Sequence, residues 1–390
     1  MNAMKFKRIV VIVLDGVGCG ALPDADAYGD VEANTLAHVA QAMGGLPLPT
    51  LRRLGLGNII PIAGLDPVLL PAAAWGKMKE CSVGKDSTTG HWEIAGGVQK
   101  CPYATYPDGF PPEIIAAFST IAGIEPLGNV AISGTDALEV YGEQHIATGR
   151  PIVYTSVDSV FQIAAHEAVI PPEKLYALCS AMRSELDKYR VGRVIARPFE
   201  GTTAQNFQRT ARRRDFSLQP PENILDKLSA VNLPVVAVGK INDIFCGRGI
   251  FQHLPTKNNC DGMRKIVTAL QSIDCGLVFA NLIDYDMLYG HRRDAHGFAA
   301  SLVEFDQWLD GFLQHLLPDD LVLITADHGC DPTTPGTDHS REYVPLLAFS
   351  AQQSVGQALG VRVCFSDIAA TIAENFALDN CSGVSFLDLV

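Results

Sequence analysis

The chain has 390 residues, 47% of them apolar and 19% charged; this globular composition excludes a disordered chain or a fibre. At roughly 150 residues per domain, it leaves room for two or three domains. A balance of 30 Lys+Arg against 43 Asp+Glu gives a net charge of −13, which excludes a general nucleic-acid binder with its basic footprint. No run of about 18 uncharged apolar residues speaks for a membrane span, and ten cysteines without a Cys-x-x-Cys pair read as reduced thiols of a cytoplasmic protein.

In chain order, residues 9–14 form a continuous β-branched run, as expected of a strand covered on both faces. Six apolar residues ending in Asp15 are too few for the core of a signal peptide. Asn34 or Thr35 caps a helix to about Met43, where Gly44-Gly45 stops it. Residues 152–156 and 191–196 read as strands and residues 172–188 as a helix. Further on, 276–283, 321–325 and 344–349 read as strands. Residues 298–317 and 366–376 read as helices, the latter capped by Ser366.

Alternating strands and helices at both ends predict an α/β fold, a mostly parallel sheet flanked by helices. The middle differs. It opens on the Pro/Gly/aromatic stretch 101–111 and closes at Gln219-Pro220-Pro221. The expected organisation is a core of residues 1–100 and 221–390 with a smaller α/β domain, 101–220, inserted as a cap. Its two crossings are natural hinges. Within the insert, residues 183–214 hold nine Lys/Arg against three Asp/Glu. Such a segment suits a small anionic ligand, or else is a solvated basic face.

Three predicted strands run directly into acidic or imidazole residues: 9–14 into Asp15-Gly16, 321–326 into Asp327-His328-Gly329, and 277–283 into Asp284-Tyr285-Asp286 with His291 beyond. Gly336-Thr337-Asp338-His339 follows a Pro/Gly turn. Ligands of open α/β sheets bind outside the carboxyl ends of strands, so these motifs can converge on one rim. Carboxylates and imidazoles without thiolates favour Mn, Zn, Mg or Fe(II). Asp15, Asp286, His291, Asp327, His328 and His339 are too many for one tetrahedral ion and about right for two.

Gly84-Lys85-Asp86-Ser87-Thr88-Thr89-Gly90 is a hydroxyl-rich loop before a short predicted helix. The free amides of a first helical turn favour an anion. A metal-activated Ser or Thr hydroxyl there can act as a nucleophile; Ser87 or Thr88 can equally be a plain helix cap.

The chain resembles the phosphopentomutase family of the alkaline-phosphatase-like metalloenzyme superfamily. The resemblance rests on Val11-Ile-Val-Leu-Asp-Gly-Val-Gly18, Gly84-Lys-Asp-Ser-Thr-Thr-Gly-His-Trp-Glu93, Ile152-Val-Tyr-Thr-Ser-Val-Asp-Ser-Val160 and Gly192-Arg-Val-Ile-Ala-Arg-Pro-Phe199. It continues through Asp284-Tyr-Asp-Met-Leu-Tyr-Gly-His-Arg-Arg-Asp294, Thr325-Ala-Asp-His-Gly329 and Gly336-Thr-Asp-His-Ser-Arg-Glu-Tyr343, in the family's order. Asp-His-Gly is shared across the superfamily; Gly-His-Trp-Glu, Ile-Ala-Arg-Pro-Phe and Gly-His-Arg-Arg-Asp are much more specific to the mutase.

The resemblance implies an isomerase of nucleoside and pentose phosphate metabolism, a phosphoprotein interconverting ribose or 2-deoxyribose 1-phosphate and 5-phosphate. It implies two Mn2+ ions, other divalent metals being possible, and a bisphosphorylated sugar as primer. Asp15, Asp327 and His328 would hold one ion, and Asp286, His291 and His339 the other. The family's nucleophile, usually Thr, falls on Ser87, with Thr88 next to it. Asp158, Arg193, Arg209 and Lys240 match the residues that hold the sugar phosphate, with Arg197 as a substitute for Arg193. Expected partners are small-molecule pentose phosphates, with neither nucleic acid nor membrane; oligomeric state has no signal in the sequence.

Overall fold

The computed structural model describes residues 4–156, 159–379 and 381–390. Its strands are β1 (Arg8–Leu14), β2 (Ala74–Met78), β3 (Leu127–Ala131), β4 (Ile152–Thr155), β5 (Val160–His166), β6 (Arg193–Glu200) and β7 (Gln208–Arg209). They continue with β8 (Arg214–Ser217), β9 (Val235–Val238), β10 (Gln252–Leu254), β11 (Gly276–Leu282), β12 (Asp320–Thr325), β13 (Val344–Phe349) and β14 (Ala358–Arg362). The chain divides into two compact units, Met1–Cys101 with Pro220–Val390, and Pro102–Gln219.

The first unit is built on an eight-stranded sheet in the order β10-β9-β11-β1-β12-β13-β2-β14. From β10 to β12 every pairing is parallel; β13 then runs antiparallel to both of its neighbours, so the sheet is mixed. The central strands are buried along their length because both faces are covered. Helix Asn259–Gln271 packs on β11, and helix Ala295–Leu313 packs on the helices Thr35–Ala42 and Pro49–Leu54. Each fully buried Val, Ile or Leu of this core contributes about 1.5–3 kcal/mol over its exposed state.

Register is what matters for function. Leu14 pairs with Leu282, and Val13 with Thr325. β1, β11 and β12 therefore end level, and whatever follows each strand leaves from the same edge. At Gly16 the backbone turns at φ +78°, and a side chain there would lie 2.9 Å from Cys330 Cβ. Only glycine allows the two strand-end loops so close an approach.

The second unit carries a six-stranded mixed sheet, β3-β4-β5-β6-β7 with β8 on β6. Helices Pro112–Ala122 and Pro172–Leu186 cover one apolar cluster around Phe118, Phe161 and Met182. Helix Gly134–Thr148 covers another around Tyr154 and Phe199.

Several boundaries differ from the sequence expectation. The strand expected at 191–196 runs over Arg193–Glu200, in register with β5. Ser366 stands at the start of helix Asp367–Asn375 but does not cap it; its hydroxyl donates to Cys364 Sγ at 2.8 Å. Among the described residues no helix is long and apolar enough to cross a membrane, and the ten cysteines are free thiols.

Candidate active site

At the shared strand edge, Asp15, Asp327 and His328 are buried side by side. His328 Nε2 lies 3.3 Å from both Asp15 Oδ1 and Asp327 Oδ2. Backbone holds the carboxylates in place: Gly16 N donates to Asp327 Oδ1 at 3.1 Å, and Asp15 N donates to the Leu282 carbonyl.

Beyond β11 the chain makes a π-helical turn, Tyr285–Gly290. Such turns occur often at functional sites because the wider ring re-aims a side chain. Here the turn carries Asp286, whose Oδ2 lies 3.1 Å from His291 Nε2 and whose Oδ1 lies 3.3 Å from His339 Nε2. His339 also stacks near His328, with ring centroids 4.0 Å apart. The ligand-type atoms of Asp15, Asp327 and His328 fall within 4.8 Å of one another, as do those of Asp286, His328 and His339. All six residues singled out from the sequence thus come together.

The hydroxyl-rich loop meets the same cluster. Ser87 is the first residue of helix Ser87–Ile94 and not its cap. Asp86 caps instead, accepting from Thr89 N and Thr89 Oγ1. Relieved of capping, Ser87 Oγ sits 3.1 Å from His328 Nε2 and 3.4 Å from Asp15 Oδ1. Among the described residues no hydrogen bond joins Thr88 to the cluster. The helix can pack so tightly because of Gly90, where a Cβ would lie 2.1 Å from the Asp327 carbonyl oxygen. Arg341, almost fully buried between Asp24 and Glu80, donates to the Gly84 carbonyl and fixes the loop's entry.

Four supporting residues were not singled out from the sequence. His91 is buried with Nδ1 at 2.7 Å from the Ser87 carbonyl and 3.1 Å from Asp327 Oδ2. Asn281 Nδ2 bridges Asp15 Oδ2 at 2.9 Å and His91 Nε2 at 3.0 Å. Buried Cys330 groups with Asp286 and His291. Glu342 accepts from Thr35, Gly20 and Ser340, tying the loop of His339 to the core. One signal for His91 was present: it lies one helical turn after Ser87, on the same face.

Electrostatics show what this cluster lacks. Burial alone would push His328 down, but facing Asp327, Asp15 and Asp286 raise it well above the usual imidazole range. Against the same desolvation, His328 and His91 pull Asp327 down to about 2. His291 and His339 hold Asp286 far below an ordinary carboxylate. Asp286 Oδ1, Asp327 Oδ2 and His339 Nε2 are buried without hydrogen-bond geometry to any described residue. Two carboxylates held below their ordinary range, with orphaned ligand atoms turned inward, fit divalent metal binding by oxygen and nitrogen donors.

Comparison with known proteins agrees with this chemistry. The Metalloenzyme superfamily matches residues 7–380. A phosphopentomutase of Syntrophotalea carbinolica is 60% identical over 389 residues, covering 100% of this chain and 99% of its own. A phosphopentomutase of Carboxydothermus hydrogenoformans is 53% identical, covering 97% and 98%. The chain belongs to the phosphopentomutase family. As a member it is an isomerase of the intramolecular phosphotransferase kind and a user of divalent metal. The PH0037 protein of Pyrococcus horikoshii shares the fold, with a TM-score of 0.50 at 16% identity, covering 97% of this chain and 99% of that one. The α/β class of the alkaline-phosphatase-like superfamily, expected from the sequence, is the class observed.

The residues matched to the family's sugar-phosphate contacts are spread over both units. Arg193, at the start of β6, is exposed with Nη1 3.6 Å from Asp215 Oδ2. Arg209 is exposed on β7. Arg197 is half-buried, its Nε donating to Gln162 Oε1 at 3.0 Å. These three belong to the second unit, whereas Lys240 is exposed in the first, before the turn Ile241–Ile244. Asp158 lies outside the described residues.

Proposed function

We propose that the chain interconverts ribose or 2-deoxyribose 1-phosphate and the corresponding 5-phosphate through phospho-Ser87 and a pentose 1,5-bisphosphate. The observation that carries this reading is the position of Ser87 Oγ, within 3.4 Å of both His328 and Asp15 at the head of a helix. Asp15, Asp327 and His328 would hold one divalent ion and Asp286, His291 and His339 a second, Mn2+ by family resemblance. Bound there, the ions supply Lewis-acid neutralisation of phosphoryl charge and favour the ionised Ser87 hydroxyl.

The chain's own residues do the rest. Ser87 Oγ carries the phosphoryl group, held over the amides of the first helical turn. A pentose hydroxyl attacks the phosphorus, its O–P bond forming as the Ser87 O–P bond breaks and its proton passing in net to the departing Ser87 Oγ, and the bisphosphate results. After reorientation Ser87 Oγ attacks the other phosphate, so the enzyme ends phosphorylated as it began. The first charge on Ser87 comes from a bisphosphorylated sugar primer. His91 and Asn281 keep Asp327 and Asp15 oriented throughout. We assign Asp158, Arg193, Arg209 and Lys240 to the substrate, the guanidinium forks to its phosphate. The inserted unit would serve as the cap bearing those arginines, and the enzyme would work in the cytoplasm.

Incubation of the primed, Mn2+-loaded protein with ribose 5-phosphate tests the reading. Ribose 1-phosphate should accumulate, and peptide mapping should find the phosphoryl group on Ser87. Free phosphate without ribose 1-phosphate would make the chain a hydrolase instead.

A further inference from the structure

Glu93, the last residue of the mutase-specific Gly-His-Trp-Glu motif, takes no part in the chemistry above. It lies near the C-terminal end of the Ser87 helix, fully buried. Its carboxylate gathers two distant segments. Cys81 N and Ser82 N donate to Oε1 and Oε2 at 2.8 and 2.6 Å, and Phe365 N donates to Oε1 at 3.0 Å. Cys364 Sγ adds a fourth bond at 3.1 Å. The same carboxylate thereby brings two thiols together: the ligand-type atoms of Cys81, Glu93 and Cys364 all lie within 4.8 Å of one another. Cys81 is exposed and Cys364 is buried beside it. Glu93 has its bonding capacity filled by protein donors, so the cluster offers a metal nothing that the protein does not already supply.

We propose that Cys81 and Cys364 are an oxidisable dithiol whose closure to a disulfide disturbs the helix carrying Ser87. The sulfurs start within 4.8 Å, against about 2.05 Å in the bond, a gap on the scale of a side-chain rotation. Two S–H bonds break and one S–S bond forms; the two hydrogens pass to an azodicarboxamide such as diamide, which becomes the hydrazine, or to a peroxide, which becomes water. The reaction removes the Cys364 proton donated to Glu93 Oε1 and the Cys81 proton donated to the Val363 carbonyl. Glu93 is thus pulled at the base of an eight-residue helix whose first residue is Ser87. A misplacement of about 1 Å at a reacting group costs on the order of a hundredfold in rate. Burial, together with the Glu93 carboxylate, raises the Cys81 thiol, so the thiolate is scarce at neutral pH and oxidation should quicken as pH rises.

The coupling to turnover rests on Ser87 as nucleophile; the existence of the pair does not. The metal-loaded protein is treated with diamide at pH 8.5, and intact mass, peptide map and mutase turnover are followed. The expected result is a loss of about 2 Da, a Cys81–Cys364 peptide, and at least about a tenfold fall in turnover, for a displacement smaller than the roughly 1 Å that costs about a hundredfold, restored by dithiothreitol. Cys81→Ser, a change at an exposed thiol, should keep its turnover under the same treatment, and Cys364→Ser serves as the second control. No cross-link, or one between other cysteines, would overturn the site. A Cys81–Cys364 bond with turnover unchanged would overturn its coupling to the helix. If the reduced protein shows no mutase turnover at all, the reading of function has failed, while the peptide map still decides the pair.

Discussion

The two halves of the candidate centre are made by different means. Asp15, Asp327 and His328 leave buried, level strand ends and are at most 1% exposed. His291, just after the π-helical turn, and His339, on a loop, have side chains 38% and 16% exposed. One half is set by sheet register, which cannot shift without moving the core. The other is set by loops, with Asp286 as the shared hinge of its contacts. A rigid inner half beside Ser87 and an adaptable outer half suit the proposed reaction, in which Ser87 stays and the sugar must turn. The comparison predicts that the halves respond unequally to substitution.

The largest effect should come from Ser87, the proposed nucleophile on the inner side. Ser87→Ala should lower phosphoryl transfer by about 10^4-fold or more, as when the nucleophile of a covalent enzyme is deleted. Metal content, measured on the same protein, should stay near normal because all six proposed ligands remain. Wild-type turnover in this variant would move the nucleophile elsewhere, first to Thr88.

Next come the proposed ligands themselves. Asp327→Asn removes a buried charge facing His91 and His328, so it should cost both a metal ion and stability. Breaking one side of a buried pair typically costs about 3–5 kcal/mol. A lower melting temperature and about one ion fewer per chain, read by elemental analysis, would mark the inner half as structural and catalytic at once. His291→Ala should behave otherwise. Its ring is partly exposed and, among the described residues, its Nδ1 bonds only the Thr337 carbonyl. Folding should survive, metal affinity should fall by roughly a hundredfold, at the upper end for perturbed metal sites, and millimolar Mn2+ should restore turnover. Equal loss of stability in the two variants would abolish the distinction between the halves.

The same division explains what was legible in the sequence. The inner candidate ligands follow continuous β-branched runs, and a strand that ends in Asp or Asp-His can be seen without coordinates. His291 and His339 were visible as residue types, but not the π-helical turn that aims Asp286 at both. That turn widens the backbone without any Pro or paired Gly to mark it. Strands β5, β9 and β14 were missed because short apolar runs carry little period of their own, and tertiary pairing decides them. Ser87 was read as a possible cap because Ser and Asp both serve at that position. Only the coordinates show Asp86 accepting from Thr89, which leaves the Ser87 hydroxyl for the cluster. The basic segment was legible as charge, but Arg213 is already paired with Asp215 and Arg212 with Glu167. Charge counting cannot separate those from arginines available to a ligand.

The smallest expected effect concerns the residues behind the inner half. Asn281 touches Asp15 Oδ2 and His91 Nε2 and would touch no ion. If the inner half owes its stiffness to the backbone, removing one amide should leave the carboxylates nearly in place. If it depends on the buried polar chain from Asn281 through His91 to Asp327, the loss should be felt at Ser87. Outer partners of ligands typically carry about 10–100-fold in affinity or activity. Asn281→Ala is therefore expected to lower turnover by about tenfold, with the metal count and KM for ribose 5-phosphate little changed, since nothing it contacts belongs to the residues assigned to the sugar phosphate. His91→Asn, which keeps a donor but shortens the reach to Asp327, should lie between Asn281→Ala and Asp327→Asn. A KM rise without a fall in kcat would place Asn281 with the substrate instead, and an unchanged enzyme would assign the rigidity of the inner half to sheet register alone.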